Sequence, residues 1–525
     1  MFEPSKPKIK TRTVTILKKV APPPAPRTPA SNGRTASGGS SAARPGATAP
    51  AANRYQLSSS SSAQRPRPVA RESPAVSNMR KRKVTPSTPP LWASSDESSD
   101  ESSDRLAVGG SSKRLKSNSI EPTGMNRQLE PDMSRRIRIR RDSETNGDAD
   151  AHSNGTSARK QENGEAGSKS DRSRRGSLTH GLVMTQGAFA KNYKPAWPGP
   201  NKVPLLELQY PSPLPPESFQ AKIPTDPSEY NPLGDIQFTI EEIITHYLPV
   251  DLFPSLSSDV TGPVRKLKRA AASGTFADYQ LELIRFNKLV KSKLADGTIQ
   301  AKMDAMHAIP LSLVKHMTQQ TYARIVSPLS HKLRKVKGKE TTYGELMPVF
   351  VHKIFAQTNL HSGHVFVDLG SGVGNVVLQS ALQTGAESWG VEIMDLAASL
   401  ATKQASELKA RARLWNINIG AMHLLHGNFL ESPAIDSVLA RADVVLVNNK
   451  VFGEELNNAL LQKFLDLKIG CKVVSLESFG GGVTKGVRNE QSIAGLFDEE
   501  RYESGTDCVS WAGESVEYFI ATKAR

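Results

Sequence analysis

An α/β fold of Rossmann type, with a mostly parallel sheet preceded by a helical subdomain and a long disordered basic tail, is predicted by three features of this 525-residue sequence. Residues 365–392 read as strand, glycine turn, helix, strand and acid. Apolar runs then alternate with helical stretches to the C-terminus. All of the excess positive charge lies before residue 190.

The run VFVDL at 365–369 has the continuous apolar character of a strand buried in a parallel sheet, and residues 375–382 repeat apolar positions at helical spacing. Between them, Gly370, Gly372 and Gly374 permit a tight turn that brings helix N–H groups close to a ligand. The second apolar run ends in Glu392, placed to accept hydrogen bonds from both ribose hydroxyls of a nucleoside. Dinucleotide folds favour G-x-G-x-x-G, whereas this turn is D-x-G-x-G-x-G with Asp368 on the strand end. A carboxylate there repels a pyrophosphate and suits a cofactor carrying a sulfonium and an ammonium. S-adenosyl-L-methionine has both and is the expected cofactor.

Only 37% of the residues are hydrophobic, so part of the chain is not expected to fold. Two cysteines, Cys471 and Cys508, are too few for a disulfide framework or a cysteine-rich zinc site and fit a reducing compartment; no metal is expected. The absence of an N-terminal apolar h-region or long apolar span predicts a soluble protein that is not secreted by the usual signal. Residues 1–190 hold 33 Lys and Arg against 17 Asp and Glu, while the rest of the chain is balanced at 35 of each.

Residues 1–185 are rich in Ser, Pro, Ala, Gly and Arg, without a sustained period, and are read as a disordered tail. Its basic clusters, at 6–19, 80–83, 113–116, 135–141 and 172–175, can neutralise DNA phosphates or direct nuclear import; a merely solvated tail is the plainer alternative. The acidic interruption SSDESSDESSD, once phosphorylated, would oppose them. Residues 186–340 are expected to form an extended segment bearing Trp197, Tyr210, Phe219 and Tyr230, then a helical subdomain covering one edge of the sheet. In it, Tyr279, Leu283, Phe286 and Val290 fall on one stripe of a helix over 276–294, with further helices over 238–247 and 299–326.

Residues 341–525 form the expected cofactor-binding domain. A helix over 396–414 is followed by a strand at 422–425 and by HGNFL, in which Asn428 can hydrogen-bond an adenine edge and Phe429 either stacks beside it or fills core. The strand at 443–447 ends in Asn448 and Asn449, where open α/β sheets place their chemistry. A helix at 452–467, a strand at 472–476, and a closing antiparallel pair formed by 508–511 and 516–522 complete the reading.

In order, TYGELMP, VFVDLGSGVGNVVLQ, GVEIMD, GNF, VLVNN, KVVSLESF and the final VSW resemble the Dot-one (disruptor of telomeric silencing) family of histone H3 lysine-79 methyltransferases, fungal type, which lack a SET domain. The likeness runs from Tyr343 to the C-terminus and more weakly back to about Ala188. It implies a Rossmann-like class I methyltransferase with a mostly parallel seven-stranded sheet, chromatin regulation and telomeric silencing, and a nuclear location. The implied partner is the nucleosome: histone H3 as substrate, DNA through the basic tail, and a ubiquitinated neighbouring histone as the family's further dependence. No membrane partner is implied, and the chain is expected to be a monomer.

Carried over position by position, Thr342, Tyr343, Gly344, Glu345 and Leu346 match the loop that closes on the methionine moiety. Val367, Asp368, Leu369, Gly370, Ser371, Gly372, Val373, Gly374 and Asn375 match the donor-binding turn. Glu392 with Ile393 matches the ribose ligand, and Asn428 with Phe429 the adenine site. Asn448, Phe452, Trp511 and the Tyr518–Phe519 pair match the active site and lysine channel. Two positions depart from the pattern: many members carry an acid where Asn428 stands, and an aromatic where Lys450 stands. A catalytically silent chromatin scaffold and a nucleic-acid methyltransferase are the alternatives. The tetrapeptide expected for exocyclic base methylation is absent at Asn448.

Overall fold

The computed structural model describes residues 129–140, 176–198, 203–333, 344–479 and 493–525. Four short strands, β1 (Tyr193–Pro195), β2 (Leu205–Leu208), β3 (Glu217–Gln220) and β4 (Lys222–Pro224), form two small antiparallel pairs, β1 with β4 and β2 with β3. The segment expected to be extended is thus held in hairpin-like pairs, with Tyr210 and Phe219 turned into the core.

The helices of seven residues or more that follow are α1 (Pro232–Tyr247), α2 (Pro263–Ser273), α3 (Phe276–Ala295), α4 (Thr298–Asp304) and α5 (Leu311–Ile325). Asn231 caps α1 by accepting from the Leu233 and Gly234 amides. Thr275 and Asp278 start α3 with a reciprocal capping box. The stripe Tyr279, Leu283, Phe286 and Val290 is buried, as its spacing predicts, whereas Phe238 is 47% exposed.

The α/β domain then runs α6 (Pro348–Thr358), β5 (Val365–Leu369), α7 (Asn375–Gln383), β6 (Glu387–Glu392), α8 (Asp395–Leu414), β7 (Met422–His426), α9 (Pro433–Leu439), β8 (Val444–Val447), α10 (Glu454–Lys463), β9 (Lys472–Ser475), β10 (Phe497–Glu503) and β11 (Glu517–Lys523). The seven strands lie in the order β10-β11-β9-β8-β5-β6-β7, and β5 to β9 are parallel. β11 runs antiparallel between β9 and β10. The chain leaves β5 toward β6 and β7 and returns on the other side to β8, so the topological switch lies between β5 and β8. Along β5, Val365, Val367 and Leu369 pack with α9 and α10, while Phe366 faces α6.

One expected pairing is wrong. The partner of the last strand is β10, FDEERYE, and residues 508–511 form a loop with isolated bridges. β10 is an edge strand whose outward side chains are charged, which hides its strand periodicity.

Two stretches assigned to the disordered tail are folded. Residues 129–140 strap the body: Arg135 donates to the carbonyls of Gln383 (2.6 Å) and Leu382 (2.7 Å), satisfying the end of α7. Burial lowers its guanidinium to about 10. Ile137 is buried in the core, and Arg138 grips Asp304 at 2.8 Å. The alternation R-I-R-I-R therefore reflects an inward and an outward face, with Arg136 and Arg140 exposed. The Asp132 carboxylate, held well below the usual range, accepts from the Ser362 amide and hydroxyl. The other stretch, 176–185, docks through Ser177 and Thr179, whose amides donate to Ser406 and Glu407 on α8.

A buried polar network joins these pieces. Arg324 on α5 contacts Glu217 (2.8 Å) and Asp235 (2.6 Å), and Arg411 on α8 contacts Glu217 (3.0 Å) and Glu407 (2.7 Å). Tyr210 donates to Glu217 as well, at 2.7 Å. The helical subdomain is thereby locked to the sheet domain by shared charges as well as by the apolar cluster around Trp415.

Candidate active site

Three glycines shape the site. Gly370, Gly372 and Gly374 have φ of 86°, 55° and 84°, so alternate residues of the turn are left-handed, where a side chain is strained. The amides of Gly370 and Ser371 both donate to the Val391 carbonyl at 3.0 Å, which ties the turn to β6. Glu392 ends β6 with its carboxylate folded back onto the turn. It accepts from the Gly372 amide through Oε2 and from the Met394 amide through Oε1, both at 2.8 Å.

Asp368 shares this pocket and is 4% exposed. Burial, and then the charge of Glu392, push its carboxyl up to about 8. This folded value exceeds the ordinary 3.8, so the fold keeps a proton that the unfolded chain has released. Stability of the unliganded protein is therefore expected to fall as pH rises from about 4 to about 8 and to level off above. Asp368→Asn should flatten that slope in denaturant midpoints taken from about pH 5 to about pH 9 and raise the midpoint at the alkaline end. An unchanged slope would assign the proton to another group.

Beyond the turn, the Asn375 side chain accepts from Gln404 at 3.2 Å, while its Nδ2, like Ser371 Oγ, is buried with no hydrogen-bond partner among the described residues. Both residues line the cavity, and these two atoms are themselves closed off from it, Ser371 Oγ lying against Gly390.

A second wall comes from two segments far apart in sequence. The Ser510 amide donates to the Glu345 carbonyl (2.9 Å), the Glu345 amide to Ser510 Oγ (2.8 Å), and the Met347 amide to the Cys508 carbonyl (2.9 Å). Trp511 then packs against Gly344, where a Cβ would stand 2.6 Å from its ring. The Glu345 carboxylate accepts from Tyr322 on α5 at 2.8 Å, linking this wall to the helical subdomain.

At the end of β8 the two asparagines separate in role. Asn449 is buried, accepting from the Leu476 and Glu477 amides and donating to Asn457 and the Glu477 carbonyl. Asn448 faces the cavity beside Phe452, whose ring is 6.3 Å from that of Phe429. Lys450 is paired with Glu477 at the rim. Asn428 accepts from the Leu430 amide at 3.0 Å and donates to Glu431 at 2.9 Å.

These walls enclose one cavity of about 590 Å³. Of the residues expected at the site, it gathers Gly344, Glu345, Leu346, Asp368, Gly370, Ser371, Gly372, Val373, Asn375, Glu392, Ile393, Asn428, Phe429, Asn448, Phe452 and Trp511. Thr342 and Tyr343 lie outside the described residues. Val367 and Leu369 do not reach it, because strand alternation turns them to the opposite face from Asp368. Gly374 caps α7 and packs near Ala401 and Leu424. Tyr518 is a correction: it is fully buried beneath α6, edge-on to Phe350 at 4.9 Å and bonded to Gln357, so it cannot line a channel. Phe519 does not line the cavity either.

Among residues not anticipated, Leu446 sits opposite Asp368 in the β5–β8 register and two positions before Asn448. That spacing of two is the signal that could have found it. Lys332, Met394 and Leu456 carried no comparable signal.

The sheet order with its antiparallel seventh strand, the glycine turn after β5, the acid ending β6 and the asparagine ending β8 define a class I S-adenosylmethionine-dependent methyltransferase. A family model described as "Histone methylation protein DOT1" matches residues 322–523. The histone-lysine N-methyltransferase, H3 lysine-79 specific, of Emericella nidulans is 42% identical over 350 residues, 66% of this chain and 70% of that protein. The protein of the same name in Aspergillus fumigatus is 40% identical over 348 residues, 66% of this chain and 69% of its own length. The chain belongs to this DOT1 family. Among solved structures, an RNA methyltransferase from Salinibacter ruber in complex with S-adenosyl-L-homocysteine is 20% identical, covering 33% of this chain and 90% of that one at a TM-score of 0.23.

Proposed function

We propose that this chain is a histone-lysine N-methyltransferase that acts on lysine 79 of histone H3 in the nucleosome, in the nucleus, and so serves chromatin regulation and telomeric silencing. The observation that carries the reading is the single cavity in which Asp368 and Glu392 are continuous with Asn448, Phe452 and Trp511. S-adenosylmethionine, when bound, supplies a methyl group made electrophilic by its sulfonium. Glu392 would hold the ribose hydroxyls, and Asp368 would face the cationic end. Gly344, Glu345 and Leu346 would close over the methionine end, with Asn428 and Phe429 at the adenine.

A lysine amine attacks only when neutral, aligned and shielded from water. Phe452, Val451 and Leu446 give the cavity an apolar wall that disfavours the ammonium form. The Lys450–Glu477 pair puts balanced charge at the rim. The basic clusters of residues 1–128 would hold DNA by neutralising phosphates without reading sequence.

Transfer of labelled methyl to nucleosomes, free histone H3 and naked DNA tests this. Label is expected on histone H3 in nucleosomes, and Glu392→Ala should reduce it on the order of a hundredfold, the loss of two charge-assisted hydrogen bonds. Label on DNA would make the substrate a nucleic acid, and donor binding without any transfer would favour the silent scaffold.

A further inference from the structure

We propose that the helical subdomain carries a second DNA-binding face, formed by α2, α3 and α4 and separate from the basic tail. It rests on the nucleosome reading above, yet is read out on naked duplex, so either can fail alone. Residues 262–302 hold nine Lys and Arg against three Asp and Glu, within a body that is otherwise short of positive charge: residues 191–525 hold 35 of each.

The few acids are already engaged. Glu282 is buried and takes Lys266 (3.5 Å) and Arg285 (3.3 Å), Asp296 takes Lys293 (2.9 Å), and Asp278 is spent capping α3. Lys268 is matched from outside the group by Glu241 at 3.2 Å. Arg265, Lys288, Lys291 and Lys302 have no ion-pair partner among the described residues, and the first three are exposed.

Helix geometry lines up the charges carried by α3. Arg285, Lys288 and Lys291 follow at three-residue intervals on α3, so each neighbours the next on one face. A helix of 20 residues is about 30 Å long, close to the roughly 34 Å turn of a duplex. Past α4, the strap extends the same charge: Arg138 holds Asp304, Arg140 lies 3.9 Å from it, and exposed Arg136 stands close by. A spread row in which Lys288 and Lys291 stay unpaired, and which lines no part of the cavity described above, suits a phosphate backbone better than a single acidic side chain. Leu281 and Ile284, 50% and 55% exposed, share the α3 face and would instead anchor a contact with an acidic protein surface.

The test uses the full chain and a duplex of about 30 base pairs, with affinity followed against salt. Arg265→Gln/Lys288→Gln/Lys291→Gln should weaken binding on the order of tenfold and lower the slope of log affinity against log salt by nearly 3, about 0.9 for each phosphate no longer neutralised. The corresponding glutamate set should weaken it further, with S-adenosylmethionine binding by calorimetry reporting that the fold is intact; if that set fails to fold, the glutamine set decides. Unchanged affinity and slope in the glutamine set would overturn the proposal. So would Leu281→Ser/Ile284→Ser abolishing nucleosome binding while the glutamine set leaves duplex binding untouched, which would point to a histone surface.

Discussion

Gly370→Arg is expected to abolish S-adenosylmethionine binding, a loss of at least about a hundredfold, or about 3 kcal/mol, by calorimetry. At φ 86° any L-residue is strained by about 1–2 kcal/mol, but strain alone does not close the site. An added Cβ would meet Phe452 Cζ at 3.8 Å, an ordinary contact, so Gly370→Ala should lower stability slightly and still bind the donor. Arginine differs because its side chain must project into the cavity, bringing a guanidinium to Asp368 and Glu392 and taking up the negative charge that a cationic ligand needs. Equal binding by the arginine and wild-type proteins would mean that the donor lies elsewhere.

Glu217→Gln is expected to lower the unfolding free energy by about 3–5 kcal/mol, because it leaves two buried guanidinium groups short of a shared counter-charge. Burial opposes ionisation of Glu217, yet Arg324 and Arg411 together overcome it and hold the carboxyl well below its usual range. With the folded value depressed, this stabilisation is present above the unfolded carboxyl range and is lost as pH falls from there through the lower folded value. The variant should therefore lose stability at neutral pH and show a shallower acid limb. A change within about 0.5 kcal/mol in denaturant midpoints would mean that the network merely replaces an apolar core of equal worth.

The sheet domain was legible because strands buried on both faces are uninterrupted apolar runs punctuated by Gly, Asn and Asp, as at VFVDL and DVVLV. The turn and Glu392 were legible because glycine spacing and a strand-end acid have few other uses. What failed has equally physical causes. β10 presents charge along an open edge, and the strap hides two inward residues inside what reads as a solvated arginine cluster. Tyr518 was misplaced because a family motif gives a neighbourhood but not a face: on β11 it turns toward Phe350, under the sheet's helical cover. The Ser510–Glu345 latch joins residues 165 positions apart, and no local pattern announces it.

The strap also bears on how this chain tolerates change in length. Arg135 and Ile137 fix residues before position 141, and Ser177 and Thr179 fix those just after 175. Both docked stretches therefore belong to the folded body, although they stand on either side of positions 141–175. Cutting the chain back past the strap would strip the Gln383 and Leu382 carbonyls of their guanidinium and lay open the core where Ile137 sits.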